Sequence, residues 1–185
     1  MAIEVREARP SEYDEAGRVT ALAYREFVGP GEDEWEAYLV EIADVRGRAN
    51  RATILVAMDG DEVLGSATLE LDDRIDDGSR PLAPDEAHIR MLGVAPTARG
   101  RGVARRLMAA GEAASLARGK GRISLHTTQR MIVAQAMYER LGFERIADRV
   151  LEDGFVLLTY EKRLQPSGSG SFVRHPDDRP GRGHP

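Results

Sequence analysis

Cysteine is absent from the 185 residues. That one absence excludes disulfides, cysteine-ligated zinc, iron–sulfur clusters and a cysteine nucleophile together. Histidine is scarce. His88, His126, His175 and His184 are the four present, and none of them form an HExxH or similar pairing. No metal site is therefore expected. Lysine is nearly missing too: Lys120 and Lys162 are the only two, so 24 of the 26 basic residues are arginine, a bias attributed to genomic base composition more than to function. Long apolar runs are also lacking. None approaches the ~20 residues that span a bilayer, and Met1–Pro10 alternates charged and apolar residues where a secretory signal would be continuously apolar. Nor is there a basic excess. A net charge of −5 and a pI near 5.5 argue against general affinity for nucleic acid or an anionic membrane. These absences describe a soluble cytoplasmic protein with neither as a partner.

What is present suits one domain, since domains commonly run to about 100–200 residues. The composition changes at Gln165. Residues 165–185 hold four prolines, four glycines and three serines, with Phe172 and Val173 as the only large apolar side chains. Such a segment cannot bury enough surface to offset its ordering entropy and reads as a flexible tail behind a domain of residues 1–164.

Within the domain, hydrophobic periodicity switches between two and 3.6. Strands are expected at Ile3–Glu7, Thr53–Met58, Glu62–Leu71, His88–Val94, Arg122–His126, Phe143–Val150 and Phe155–Lys162. Helices are expected from Pro10 to Val28, Asp33 to Arg46, Gly102 to Arg118 and Met131 to Leu141. Asp59-Gly60-Asp61 and Glu152-Asp153-Gly154 are hairpin signals. Local hairpins combined with strand–helix–strand units imply an α/β protein with a mixed sheet flanked by helices.

The densest chemistry lies between Leu92 and Arg106. A strand ends, a glycine-containing turn follows, and a helix begins. The first turn of a helix carries N–H groups without internal partners, and its dipole favours negative charge. Arg99, Arg101, Arg105 and Arg106 add four positive charges within eight residues of a net-acidic chain. Gly100 and Gly102 remove side chains that would hold an anion away. A phosphate or pyrophosphate ligand fits all of these features; a glycine turn before a solvated arginine-rich helix face also fits the residue types. A Walker loop is ruled out because no lysine follows, and a dinucleotide fingerprint because Arg105 occupies the place of its third glycine.

Arg99-Gly100-Arg101-Gly102-Val103-Ala104 resembles the phosphate-binding signature of the GNAT (Gcn5-related) N-acetyltransferases: arginine or glutamine, any two residues, glycine, any residue, then glycine or alanine. Tyr138-Glu139-Arg140-Leu141-Gly142-Phe143 resembles the ending of that family's next helix. The two motifs stand in the family's order about 35 residues apart, and the resemblance spans about Ile3 to Leu164. It implies a central, mixed, mostly antiparallel twisted sheet of six to seven strands flanked by about four helices. It also implies acetyl-CoA or another acyl-CoA as acyl donor, bound in a V-shaped opening between the strands at His88–Val94 and Arg122–His126, and an amine as acceptor. Carried over position by position, backbone groups of Leu92, Gly93 and Val94 would pair with the pantetheine arm, and N–H groups from Arg99, Gly100, Arg101, Gly102, Val103 and Ala104 would hold the pyrophosphate. Tyr138 matches the tyrosine proposed to protonate the leaving thiolate, for which a hydroxyl of pKa about 10 is suited; it could equally be a packing residue, in line with Ala134 and Leu141. His88 occupies a position where some members carry a general-base glutamate, with Glu86 and His126 as further candidates. One departure is Met131, seven residues before Tyr138, where the family often has asparagine; a local cofactor or capping contact is lost with it.

The alternative to an enzyme is a non-catalytic acyl-CoA-binding sensor or scaffold, against which the retained Tyr138 speaks. Members of the family are often dimers, so a homodimer is open to this chain. Acidic residues at Glu70, Asp72, Asp73, Asp76 and Asp77 and at Glu32, Asp33 and Glu34 would favour a cationic acceptor but read first as solvated loops. Tyr24, Phe27, Trp35 and Tyr38, at helical spacing, read as core before they read as an acceptor pocket.

Overall fold

The computed structural model describes residues 2–29, 33–72, 81–151 and 154–165. The expected tail after Gln165, residues Glu32, Asp73, Asp76 and Asp77, and the first two residues of the second hairpin signal lie outside the described residues. Eight strands form one sheet: β1 (Glu4–Glu7), β2 (Thr53–Asp59), β3 (Glu62–Glu70), β4 (Glu86–Val94), β5 (Arg122–Thr128), β6 (Glu144–Arg145), β7 (Arg149–Val150) and β8 (Val156–Arg163). Their order is β1-β2-β3-β4-β5-β8-β6, with β7 also on β8. Every pairing is antiparallel except β4 with β5. Five helices accompany it: α1 (Tyr13–Tyr24), α2 (Asp33–Ala43), α3 (Val45–Arg48), α4 (Val103–Ala117) and α5 (Ile132–Arg140).

The mixed, mostly antiparallel sheet is the expected one. It has an eighth strand because Phe143–Val150 is broken: β6 and β7 each pair with β8, and an Arg145–Asp148 ion pair at 2.7 Å holds the bend between them. The fifth helix is the four-residue α3, started by an Asp44 side chain that accepts from the Gly47 N–H.

Strand alternation decides which chemistry each face carries. In β3, β4 and β5, Ala67, Leu69, Ala87, Ile89, Ile123 and Leu125 join one core cluster with Met108 of α4, Tyr138 of α5 and Tyr160 of β8. The residues between them face the other way. Cross-strand register places Thr68 opposite Arg90, Glu70 opposite His88, His88 opposite Ser124, and Glu86 opposite Arg122. Thr68, Glu70, Glu86, His88 and Ser124 are all buried. One side of the central sheet is thus apolar and packed, and the other is a buried polar stripe.

Helix α1 lies directly on β4. A Cβ at Gly93 would come within 2.8 Å of the Thr20 Cα, so only glycine permits this approach. Between Ser66↔Gly93 and Thr68↔Arg90, β3 advances two residues while β4 advances three. The extra residue makes a bulge in which Met91 takes φ +51°, the one positive φ of a non-glycine among the described residues. Bulges bend the strand that carries them, and β4 pairs with β5 only as far as Ile89↔Leu125. Beyond that point the two strands separate.

Candidate active site

The separation leaves the β5-facing edge of β4 open from Arg90 to Val94. Leu92, Gly93 and Val94 therefore stand on an unpaired edge, in the opening between these two strands that the family resemblance implies. Immediately after them, Pro96–Ala98 form a 3-10 turn and the chain enters α4 through Gly100 and Gly102 at φ +77° and +76°. Both glycines are needed for their left-handed backbone. Space is not the reason: a Cβ on Gly100 would meet nothing within 4 Å. Gly102 caps α4 without a side-chain bond, and the first helical amide paired back to it is that of Arg106. In the turn before it, the Arg99 and Arg101 N–H groups donate to the Pro96 and Ala98 carbonyls at 3.5 and 3.4 Å, whereas the first N–H groups of α4, ahead of that of Arg106, have no partner inside the helix.

The four arginines of this region divide. Arg99 forms a two-pronged ion pair with Glu26 at 2.8 and 2.9 Å, and Arg101 pairs with Asp59 at 2.6 Å. These two anchor the turn to the elements around it. Arg105 and Arg106, exposed on the first turn of α4, carry the positive charge that is left over.

Where β4 and β5 part, a cavity of about 450 Å³ opens. Its wall combines aromatic rings from α1, α2 and the start of β8 with the polar stripe of the sheet. Tyr24, Trp35 and Tyr38 all line it; of the four aromatics read as core, only Phe27 does not. They contact one another edge-on, Tyr24 with Tyr38 at 6.4 Å and Trp35 with Tyr38 at 5.9 Å, and Trp35 meets Phe155 at 6.4 Å. Burial pushes the Tyr24 and Tyr38 hydroxyls up from their ordinary pKa, so both stay neutral donors.

Glu41, His88, Arg90, His126 and Arg149 also line the cavity. Arg90 lies 3.5 Å from Glu41 and 3.6 Å from Glu70. Glu70 is fully buried on β3, inside the strand expected over Glu62–Leu71, which corrects its reading as part of a solvated acidic loop: it faces Arg90 and stands opposite His88 on β4. Asp72 does lie at the surface, paired with Arg118.

His88 is buried at the inner end of the cavity. Its Nδ1 lies 2.9 Å from the Ser124 Oγ, and Ser124 donates in turn to Glu86 Oε1 at 2.7 Å. Glu86 Oε2 accepts from the Ala83 N–H at 3.3 Å and lies 3.7 Å from Arg122. The His126 ring stands 4.9 Å from that of His88. Three separate base candidates of the sequence thus belong to one cluster, joined by Ser124, which sequence reasoning missed. A lone serine in a strand carries no signal of its own.

Tyr138 is buried on α5 against Phe143 and Tyr160, each at 6.0 Å. Its hydroxyl has no hydrogen-bond partner among the described residues, and burial pushes its pKa up. Charge on Tyr138 would also oppose ionisation of Tyr24. Met131 caps α5 without a side-chain bond and faces the cavity. Gln135 ties α5 to the end of β5, its side chain donating to the Thr128 carbonyl at 2.9 Å, without capping the N–H groups of the helix. The Thr128 hydroxyl at the cavity wall is buried with no partner among the described residues. Arg90, Arg149, Leu151, Phe155 and Leu157 also line the cavity and were not foreseen. They come from β4 and from the β7–β8 hairpin, which only the sheet brings together.

Residues 17–143 match the model of the acetyltransferase (GNAT) family. The chain belongs to that family. Solved structures of low identity share the fold. One is yncA, a putative acetyltransferase from Salmonella typhimurium with its cofactor acetyl-CoA, at 18% identity and TM-score 0.64 over 90% of this chain and 96% of that one. Another is PaiA N-acetyltransferase from Thermoplasma acidophilum in complex with coenzyme A, at 16% and 0.66 over 88% and 99%. A third, an acetyltransferase from Streptococcus agalactiae, has 24% identity and TM-score 0.63 over 88% and 98%. No curated protein sequence matches the chain. Among the described residues, no group of side chains could hold a metal ion, and no helix is long and apolar enough to cross a membrane.

Proposed function

We propose that the chain is an acyl-CoA-dependent N-acyltransferase that moves an acetyl group from acetyl-CoA directly to a primary amine of a small molecule or protein. The observation that carries this reading is the open edge of β4, which leads at one end into the Gly100–Gly102 turn and at the other borders the cavity. An extended polar chain can add to that edge as a strand would, and a pyrophosphate fits the N–H groups at the start of α4 that have no partner inside the helix. The residues present therefore suit the donor. Leu92, Gly93 and Val94 would bind its arm. Backbone from Arg99 through Gly100, Arg101, Gly102, Val103 and Ala104 would bind its phosphates, with Arg105 and Arg106 adding charge.

When bound, acetyl-CoA supplies an activated thioester whose thiolate leaves. The chain must then do three things: hold the acceptor amine, remove its proton, and protonate the leaving group. The aromatic wall and the Thr128 hydroxyl suit the first. His88 suits the second, since an imidazole of ordinary pKa about 6.5 accepts protons near neutrality. Tyr138 is the candidate for the third: it packs beside the cavity without lining it, its hydroxyl has no competing partner among the described residues, and burial keeps it protonated while raising its pKa above the value of about 10 that matches a thiolate.

A free-thiol release assay over a panel of amines and peptides tests the whole reading, and the absence of cysteine removes any protein background. Turnover with at least one amine is the expected result. Calorimetry that detects no acetyl-CoA binding at millimolar concentration would sink it, whereas binding without turnover on any amine would indicate a sensor or scaffold. Tyr138→Phe is expected to lower kcat about a hundredfold, the scale of general acid catalysis, and full turnover in that variant would remove the role of Tyr138.

A further inference from the structure

We infer that Glu86 and Ser124 are positioning residues that lock His88 into its Nδ1–H tautomer, making Nε2 the nitrogen that takes the proton of the acceptor amine. The inference rests on the transferase reading of the same site. It follows from donor and acceptor counting along the buried chain. The Glu86 carboxylate lies beside the Arg122 guanidinium and the Ala83 N–H, both donors, and an ionised carboxylate can only accept. The one proton of the Ser124 hydroxyl is directed to Glu86 Oε1. Toward His88 the same oxygen can then only accept, so Nδ1 carries the hydrogen across the 2.9 Å contact. In the neutral ring the other nitrogen is the base.

The arrangement is built into the sheet. His88 and Ser124 are register partners in the parallel ladder, as are Glu86 and Arg122. The chain sits at the last paired residues before β4 and β5 part, on the wall of the cavity. A histidine that only packed would need no carboxylate behind it, and a fully buried carboxylate is costly unless its partners use it.

The step balances simply. One N–H bond of the acceptor ammonium breaks, its electron pair stays on nitrogen as the attacking lone pair, and the proton bonds to His88 Nε2. No proton moves along the chain. The imidazolium is stabilised through Nδ1–H, the Ser124 hydroxyl and the Glu86 carboxylate, and later returns its proton to solvent. Glu70 on β3 and Ser124 on β5 are register partners of His88, the His126 ring stands 4.9 Å away, Glu86 and Arg90 flank it two residues away on β4, Arg122 lies behind it beside Glu86, and Tyr24, Tyr38, Glu41 and Arg149 line the same cavity.

The test is long-range proton–nitrogen correlation NMR on the full chain with labelled histidine, paired with pH profiles of kcat/KM for an active acceptor. The unmodified chain is expected to show His88 as the Nδ1–H tautomer. In Glu86→Gln the amide oxygen stays with Arg122 and Ala83, so its NH2 group faces Ser124. The hydroxyl proton then turns toward His88, and the tautomer inverts to Nε2–H. Ser124→Ala is expected to give a mixture. In both variants kcat falls at least tenfold, the acid limb of the profile moves to lower pH, and acetyl-CoA affinity is unchanged. An Nε2–H tautomer in the unmodified chain would overturn the inference, as would variants whose tautomer and pH profile match the parent. The parent measurement needs no variant to fold. Nδ1–H together with no turnover on any amine would overturn the transferase reading and the catalytic role with it; turnover with an inverted tautomer would overturn the relay alone.

Discussion

Two residues of the glycine turn before α4 and one of the bulge occupy backbone that L side chains rarely adopt, and they do so for different reasons. Gly100 and Gly102 take φ near +77° in a turn whose outward face must stay bare. Met91 takes φ +51° because the bulge gives it no choice, and it sits where β4 turns away from β5. Strain held at such a point is tolerated only where the surroundings over-determine it. Replacing Gly100 or Gly102 with alanine is expected to cost about 1–2 kcal/mol each, the price of a Cβ in left-handed backbone, since neither Cβ would meet anything closer than 3.8 Å. Thermal melts read that cost. Calorimetry on the same variants should show weaker acetyl-CoA binding, and unaltered affinity would mean that the turn does not hold the phosphates.

Between elements, a few ion pairs set how the outer pieces meet the sheet. Arg6 of β1 grips Glu12 with two hydrogen bonds of 2.7 and 2.8 Å just before α1 begins. Glu12 also accepts from the Arg9 N–H, which closes the 3-10 turn. The Arg6 guanidinium is the main cause that draws the Glu12 pKa down from 4.5 to about 2. A depressed carboxylate pKa means that the folded state holds its proton less tightly than the unfolded state does. The stability it contributes is therefore present above about pH 4.5 and is lost as pH falls through 2. Arg6→Met should lower stability at neutral pH and flatten the loss between pH 4.5 and 2. Denaturant melts across that range check both slopes, and identical slopes would show the pair to be idle.

At the scale of the molecule, the cavity exists because the α1–α2 layer is held above a polar sheet face, and a buried arginine does much of the holding. Arg48 donates to the Thr68 hydroxyl of β3 at 3.0 Å and to the carbonyls of Glu41, Ile42 and Asp44 at 2.8, 2.6 and 2.8 Å. It thereby satisfies the end of α2 and ties it to the sheet. Burial lowers its pKa to about 10, still far above neutrality, so it remains charged. Arg48→Met would leave three carbonyls and a hydroxyl short of a donor and is expected to cost about 2–4 kcal/mol, measured by urea unfolding. Because α2 supplies Trp35, Tyr38 and Glu41 to the cavity, the same variant should raise KM for the acceptor more than for acetyl-CoA.

Much of this was legible in the chain. Period-two alternation in Glu86–Arg90 and Arg122–His126 separates the apolar face from the polar one. The glycine turn before α4 advertises an anion site through residue type and spacing alone, and the two family motifs name the fold. These are local signals, and local signals survive in a one-dimensional reading. Ser124 did not, because its meaning depends on a parallel ladder that joins strands some 36 residues apart. Tyr24, Trp35 and Tyr38 were read as core because periodicity reports which side of a helix is apolar, and it cannot report whether that side meets packing or a hollow. The sequence by itself determined the elements, the face each presents and the glycine turn before α4, since these follow from backbone preference and side-chain period. Only the tertiary structure decided that β4 and β5 part at Ile89, that a cavity opens there, and that Glu86, Ser124 and His88 meet at its inner end, because register and bulge are set by contacts between distant segments.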